Sequence, residues 1–268
     1  MDKRVSDFFE SEKIEYFAAL DYAHIREINA GLRERKNIDA KSVIIFLIPY
    51  YVGGSKNLSE YSAAKDYHQI IKEKTDKLIA KLKEIYPRGN FVGFGDHSPI
   101  DERGAALSAG LGILGDSGLL INEKYGTYVF LADVICDVLP EEIGAVPPTP
   151  VLKCEGCGAC AKACPTGILR AEGSDCLSAI TQRKGELTDS EIALMKKYNT
   201  VWGCDVCQSV CPHNREPDVT PIDFFHEERI PHLTSEILAS MDDETFEKRA
   251  FAWRKRKTIE RNLKLLNY

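Results

Sequence analysis

The chain has no long apolar run. No stretch approaches the ~18 residues of a membrane-spanning helix, so no element is expected to cross a bilayer. It opens Met1-Asp2-Lys3-Arg4 with no apolar leader core. That start predicts a soluble, cytoplasmic protein whose thiols stay reduced. Positive charge is also in short supply. Lys and Arg number 35 against 41 Asp and Glu, a net charge of −6, so no global basic field draws the chain to nucleic acid. No G-x-G-x-x-G follows an expected strand and no G-x-x-x-x-G-K-[ST] occurs, which removes the nicotinamide and nucleotide fingerprints. There is no low-complexity segment, and the sole internal repeat is a pair of cysteine motifs.

Cysteine is what the chain has. Eight of its nine cysteines lie between Cys154 and Cys211. The first run is Cys154, Cys157, Cys160, Cys164 and Pro165. The second is Cys176, then Cys204, Cys207, Cys211 and Pro212. Both follow the C-x2-C-x2-C-x3-C-P plan of two-cluster ferredoxins, the second with a long insertion after its first cysteine. Three closely spaced cysteines hold one cube, and the fourth crosses to the other. The spacing therefore predicts two [4Fe-4S] clusters. One takes Cys154, Cys157, Cys160 and Cys211; the other takes Cys164, Cys176, Cys204 and Cys207. Disulfides do not suit a reducing compartment. Zinc would favour separate C-x2-C knuckles without the C-x3-C-P ends. Cys136, in an apolar run, reads as a buried thiol.

The rest of the 268 residues suit one or two domains, with 44% hydrophobic content for a core. Residues 5–30 read as helices ended by Gly31, and Leu32 to Lys36 as a solvated charge run. Ser42 to Tyr51 is continuously apolar and predicts a strand buried on both faces. Val52 to Ser62 predicts a loop. Asp66 to Tyr86 has a one-sided apolar stripe and predicts a helix. Phe91 to Phe94 predicts a strand and Asp101 to Ala109 a helix. Leu119 to Asn122 and Tyr128 to Asp137 predict two strands about a turn. This order predicts an α+β or α/β domain over 1–145. A cluster domain over 146–220 opens with the Val146-Pro-Pro-Thr-Pro150 linker and carries a short helix over Asp189 to Tyr198. A helical tail over 221–268 packs on the core. A simple electron carrier has no need of the first domain, so electrons are expected to pass from the clusters to something held there.

Several stretches resemble the epoxyqueuosine reductase family, cobalamin-dependent enzymes related in core to reductive dehalogenases. They are Lys65-Asp-Tyr-His68, Asp96-His-Ser-Pro99, Ala109-Gly-Leu-Gly112, Leu119-Leu-Ile-Asn122 with Tyr125-Gly126, and Tyr128-Val-Phe-Leu131. Further ones are Cys154 to Pro165, Cys176-Leu-Ser178 with Thr181 and Lys184-Gly185, and Gly203 to Pro212. Ala63-Ala64 and Asp116-Ser117 depart from the family's usual residues. The resemblance implies an α+β, nitroreductase-like cobalamin domain followed by a ferredoxin-like double [4Fe-4S] domain. It implies reduction of epoxyqueuosine in tRNA to queuosine, in a short form without the C-terminal helical-repeat domain. By position, Asp96 becomes the proton donor. Its place at the end of an apolar strand predicts partial burial and a raised carboxyl pKa. Ser59, Asp96, Leu120, Leu131, Ser178, Asp205 and Val206 become cobalamin contacts, and Lys184 a tRNA contact. The cluster of Cys164, Cys176, Cys204 and Cys207 would be the one nearer the corrin. Asp66-Tyr67-His68 lacks the glycine of a D-x-H-x-x-G motif, so a lower cobalt ligand is not expected from it. A low-potential flavodoxin or ferredoxin is the implied donor. The alternatives are a related reductase of a small molecule, dehalogenase-like, and a non-enzymatic two-cluster carrier.

Overall fold

The computed structural model describes residues 1–171 and 175–268. It divides into two compact units, one of residues 1–49 and 68–155, the other of residues 50–67 and 156–268.

The first unit is built on an antiparallel sheet. Its strands are β1 (Phe17–Asp21), β2 (Ser42–Pro49), β3 (Phe91–Phe94) and, after a separate pair, β6 (Val129–Cys136), in the order β1-β2-β6-β3. Every residue of β2 is buried, as its unbroken apolar run demands in a strand covered on both faces. The separate pair is β4 (Ile113–Leu114) with β5 (Leu120–Ile121). The helices are α1 (Lys3–Ser11), α2 (Ala30–Arg35), α3 (Tyr67–Ile85), α4 (Glu102–Ser108) and α5 (Pro140–Ile143). α3 buries Ile70, Ile71, Leu78 and Leu82, each worth roughly 1.5–3 kcal/mol of apolar burial. α4 packs on β2 and β6. Its Ala105, Ala106 and Leu107 join Val43, Ile45, Leu47 and Ile135 in one core.

The elements depart from expectation at three places. Residues 17–21, expected within a helical stretch, form β1, because Phe17 to Leu20 pair with Phe46 to Val43 of β2 and those cross-strand bonds override a weak helical phase. The charge run is helical rather than a loop, and Gly31 lies inside α2 instead of ending the preceding helix. The strands about residues 123–126 do not form a hairpin: β5 pairs with β4, whereas β6 pairs with β2 and β3. Gly112 shows why β4 and β5 join. A Cβ there would meet the Ile121 carbonyl oxygen at 2.5 Å, so only glycine allows that approach.

The second unit holds α6 (Ala159–Ala163), α7 (Leu177–Gln182), α8 (Asp189–Tyr198), α9 (Val206–Ser209), α10 (Ser235–Ser240), α11 (Asp243–Glu247) and α12 (Arg256–Leu266). α8 begins with a Thr188/Glu191 capping box and ends at left-handed Asn199, which stop it at both ends. Trp202, Phe251, Ile259 and Leu263 share one core with Leu58. The tail 221–268 and the cluster region therefore form one unit, whereas the sequence predicts two parts. Residues 50–67, expected as part of the first domain, also belong here. Backbone bonds hold them: Ser59 N–H to the Trp202 carbonyl at 2.8 Å, Val201 N–H to the Asn57 carbonyl at 2.7 Å, and Asp66 N–H to the Lys248 carbonyl at 2.7 Å. No helix among the described residues is long and apolar enough to cross a membrane.

Candidate active site

In the first unit, β3 delivers Asp96. The strand ends at Phe94, and the chain turns through Gly95 into Asp96, whose φ is +64°. Few residues other than glycine adopt this left-handed conformation; aspartate is among the more tolerant. A Cβ at Gly95 would meet Ile71 at 2.4 Å, so the turn runs tight against α3. His68, at the start of α3, brings Nε2 to 3.5 Å from Asp96 Oδ2. The Asp96 side chain is 60% exposed, which corrects the partial burial expected at the end of an apolar strand. The strand ends before the residue, and the left-handed turn carries the carboxylate outward.

The buried carboxyls lie behind it. Glu102, the first residue of α4, is half-buried, and its Oε1 is buried without a hydrogen-bond partner among the described residues. Burial, with Asp96 and Asp101 nearby, pushes the Glu102 carboxyl up to about 7. Asp133 of β6 is fully buried, and neither of its oxygens has a hydrogen-bond partner among the described residues. The Ser98 hydroxyl faces it without completing a bond. Burial first, and Glu102 second, hold the Asp133 carboxyl well above the usual range. Neither residue stood out in the sequence as functional. The one signal was a lone carboxylate in the apolar run Val129 to Cys136.

Leu120 and Leu131 differ in exposure. Leu120 is 5% exposed within the core, and Leu131 is half-buried beside it. In the same unit the Asp116 N–H points to Cys154 Sγ at 3.4 Å.

In the second unit, α6 packs on α9, the two short helices that carry Cys160 and Cys207. Cys204 feels Cys176 and Cys164, and Cys207 feels Cys204, Cys176 and Cys160. Burial and the neighbouring sulfurs push the Cys204 thiol up to about 11 and that of Cys207 up to about 12. At Cys164 burial acts upward, but N–H groups of Leu169, Thr166 and Gly167 prevail and lower it. No disulfide joins any of the nine cysteines. Among the described residues no three His, Cys, Asp or Glu side chains converge to hold a single metal ion. Ligands of a cube attach to separate corners and stand further apart than ligands of one ion. Thiolates this close repel one another unless iron offsets their charge, so the donor set suits iron–sulfur clusters.

Three of the expected corrin contacts meet at one cavity. It measures about 240 Å³ and is lined by Ser59, Cys204, Asp205 and Val206, with Lys56 and Tyr198 among the others. Asp205 is partly exposed as a residue, but its carboxyl turns inward. Oδ2 accepts the Glu60 N–H at 2.6 Å and Oδ1 accepts from Gln208 Nε2 at 2.9 Å. Burial outweighs these bonds and raises the group to about 6. Glu60 is held in turn by Arg229 at 2.6 Å. Ser59 presses on Gly203: a Cβ there would meet Ser59 Oγ at 2.0 Å. The volume falls below the roughly 300–1,000 Å³ of pockets that enclose drug-sized ligands. That is room for a small polar group and not for a macrocycle. Ser178 lies outside that lining, and its hydroxyl accepts from Gln182 Nε2 at 3.0 Å. Lys184 is exposed in the loop after α7, which Arg261 holds through the Arg183 carbonyl at 2.7 Å.

Comparison with known proteins places this arrangement. Residues 36–96 match the family profile Epoxyqueuosine reductase QueG, and residues 153–214 match a 4Fe-4S double cluster binding domain. An epoxyqueuosine reductase of Leadbetterella byssophila is 33% identical over 250 residues, covering 87% of this chain and 79% of the relative. One of Staphylococcus aureus is 31% identical over 275 residues, covering 94% and 70%. The fold matches the epoxyqueuosine reductase of Streptococcus thermophilus with a TM-score of 0.77 at 21% identity, over 99% of this chain and 80% of that one. It also matches an epoxyqueuosine reductase solved with an epoxyqueuosine-modified tRNA stem loop, with a TM-score of 0.76 at 23% identity, over 98% and 80%. The chain belongs to the epoxyqueuosine reductase family.

Proposed function

We propose that this chain reduces epoxyqueuosine in tRNA to queuosine. Membership of the family carries the reading, and the Asp96 turn gives it a chemical centre. The reaction breaks both C–O bonds of the epoxide, forms a C=C bond and releases water, consuming two electrons and two protons. When bound, the two [4Fe-4S] clusters would carry single electrons and a reduced cobalamin would pass them to the base.

The chain's own residues do the rest. Asp96, its side chain mostly exposed on the turn, gives a proton to the departing oxygen. His68, at 3.5 Å, steadies the carboxylate after the proton leaves. Cys164, Cys176, Cys204 and Cys207 hold one cluster; Cys154, Cys157, Cys160 and Cys211 hold the other. By the family resemblance, Ser59, Leu120, Leu131, Ser178, Asp205 and Val206 would contact the cobalamin when it is bound. Lys184 meets the tRNA backbone. The exchange takes place in the cytoplasm, with a low-potential flavodoxin or ferredoxin as donor.

The test is conversion of an epoxyqueuosine tRNA stem-loop by the anaerobically loaded protein and its Asp96→Asn variant. The variant should keep its iron and corrin absorption and lose about 10²–10⁴-fold in turnover, the usual worth of a positioned acid. Equal turnover would remove Asp96 from the reaction.

A further inference from the structure

The approach to α12 combines an exposed ring with unpaired positive charge. Trp253 is 55% exposed and is the one exposed Phe, Trp or Tyr among the described residues. Its ring is nonetheless fixed in place. It meets the fully buried Trp202 in a T-shaped contact, with ring centroids 6.3 Å apart. The Arg254 guanidinium lies over the indole, 3.9 Å from the ring centroid. Ring and cation thus make one platform that is ordered before any ligand arrives. Lys255 and Lys257 follow, both exposed, and neither pairs with an acid among the described residues. Arg256 is already committed. It donates to the Leu238 carbonyl at 2.7 Å and the Met241 carbonyl at 3.0 Å, and it pairs with Asp243 at 3.6 Å. The nearest other acid along the chain is Glu260, about one turn beyond Lys257.

Helix stability does not account for these cations. α12 has no acid in its first turn, and Lys255, at its N-cap, makes no side-chain cap bond. A cation there opposes the helix dipole, and a lysine forgoes the hydrogen bond that Ser, Thr, Asp or Asn would make. The same helix also holds the loop of Lys184. Arg261 donates to the Arg183 carbonyl at 2.7 Å and to the Gly185 carbonyl. Arg261 stands four residues after Lys257, so the two share one face of α12 a turn apart. The loop expected to meet tRNA is therefore fastened to the face that carries Lys257. RNA suits this surface better than a lipid bilayer does. Free lysines bind phosphate, and an indole or guanidinium plane stacks an unpaired base. A helix lying in a bilayer needs an outward apolar face, whereas Ile259 and Leu263 of α12 are fully buried in the core with Trp202 and Phe251.

We propose that Trp253, Arg254, Lys255 and Lys257 form an RNA-contact surface continuous with Lys184: an unpaired base stacks on the Trp253–Arg254 platform, and Lys255 and Lys257 take the phosphates beside it. This rests on the reading that the substrate base is carried by tRNA. The chain has a net charge of −6, so its hold on a polyanion has to come from a local surface of this kind. None of the four residues is assigned to the chemistry, so the surface serves substrate affinity and not bond breaking.

The test is binding of a fluorescently labelled, unmodified tRNA anticodon stem-loop to the full, loaded chain, read by anisotropy over a series of salt concentrations. Wild type is compared with Trp253→Ala, Trp253→Phe and the double variant Lys255→Ala/Lys257→Ala. Trp253→Ala should weaken binding about tenfold or more, the usual worth of one base stacked on an aromatic ring, and Trp253→Phe should restore most of it. The double variant should reduce the salt slope by nearly two, about one for each phosphate contact. Both lysines are exposed, so this variant keeps its fold and iron even where removal of the indole disturbs Trp202. With an epoxyqueuosine-bearing stem-loop, the double variant should raise KM several-fold and leave kcat unchanged. Wild-type affinity and slope in the double variant would overturn the surface. So would loss of binding to vesicles of equal parts phosphatidylserine and phosphatidylcholine with RNA binding intact, which would assign the patch to membranes. If wild-type protein binds the stem-loop through these residues but leaves the modified base unreduced, the proposed function falls and the surface stands. If it reduces the base and every variant binds RNA like wild type, the surface falls and the function stands.

Discussion

The unit that carries most of the cysteines and the unit that carries Asp96 position their working groups by different means. In the former, chemistry follows from spacing. Sulfurs three residues apart are brought together by short helices such as α6 and α9, where burial and neighbouring sulfurs disfavour thiolates that no metal offsets. In the latter, chemistry follows from burial and backbone conformation. A central strand hides Asp133, α4 supplies Glu102, and a left-handed turn puts Asp96 outside. The first arrangement can be read along the chain, whereas the second exists only once the sheet has formed.

The contrast can be broken or sharpened by substitution. The largest effect is expected at the crossing ligand. Cys211→Ala should lose about half the iron and nearly all turnover, while the other cluster, on Cys164, Cys176, Cys204 and Cys207, persists in its electron paramagnetic resonance signal. Loss of both signals would mean that the two sites do not assemble separately. Gly203→Ala comes next. With φ at +77° and Ser59 Oγ only 2.0 Å from the added carbon, it should cost roughly 1–3 kcal/mol and lower the thermal midpoint. An unchanged midpoint would show that Ser59 yields freely. The smallest effect belongs to Lys184→Ala, which should weaken stem-loop binding a few-fold and reduce the salt slope by about one, leaving iron content unchanged. An unaltered slope would place Lys184 away from phosphate.

Much of this was legible beforehand. β2 announced itself by an unbroken apolar run, and α8 was expected over the residues it occupies, Asp189 to Tyr198. α4 was expected over Asp101 to Ala109 and forms over Glu102 to Ser108, with Asp101 as its cap, accepting the Gly104 N–H at 3.0 Å. β1 was not, because Phe17 to Leu20 is short and becomes a strand only through its pairing with β2. The pairing of β5 with β4 hung on one glycine, which local pattern does not weigh. Asp96 was found by resemblance; the chemical reason first attached to it, partial burial, belongs instead to Glu102 and Asp133. Glu102 passed as an ordinary acid in a helix's first turn. Asp133 was the one polar letter in a buried strand, a signal that gains meaning only when register sets it opposite Phe94.

The most direct test of the central claim is mass spectrometry of an epoxyqueuosine-bearing tRNA stem-loop after anaerobic incubation with the reduced, fully loaded protein. The account predicts loss of one oxygen atom from the modified base in wild type, with the base unchanged under Asp96→Asn. A base left intact by wild-type protein whose clusters and corrin are both reduced would contradict it.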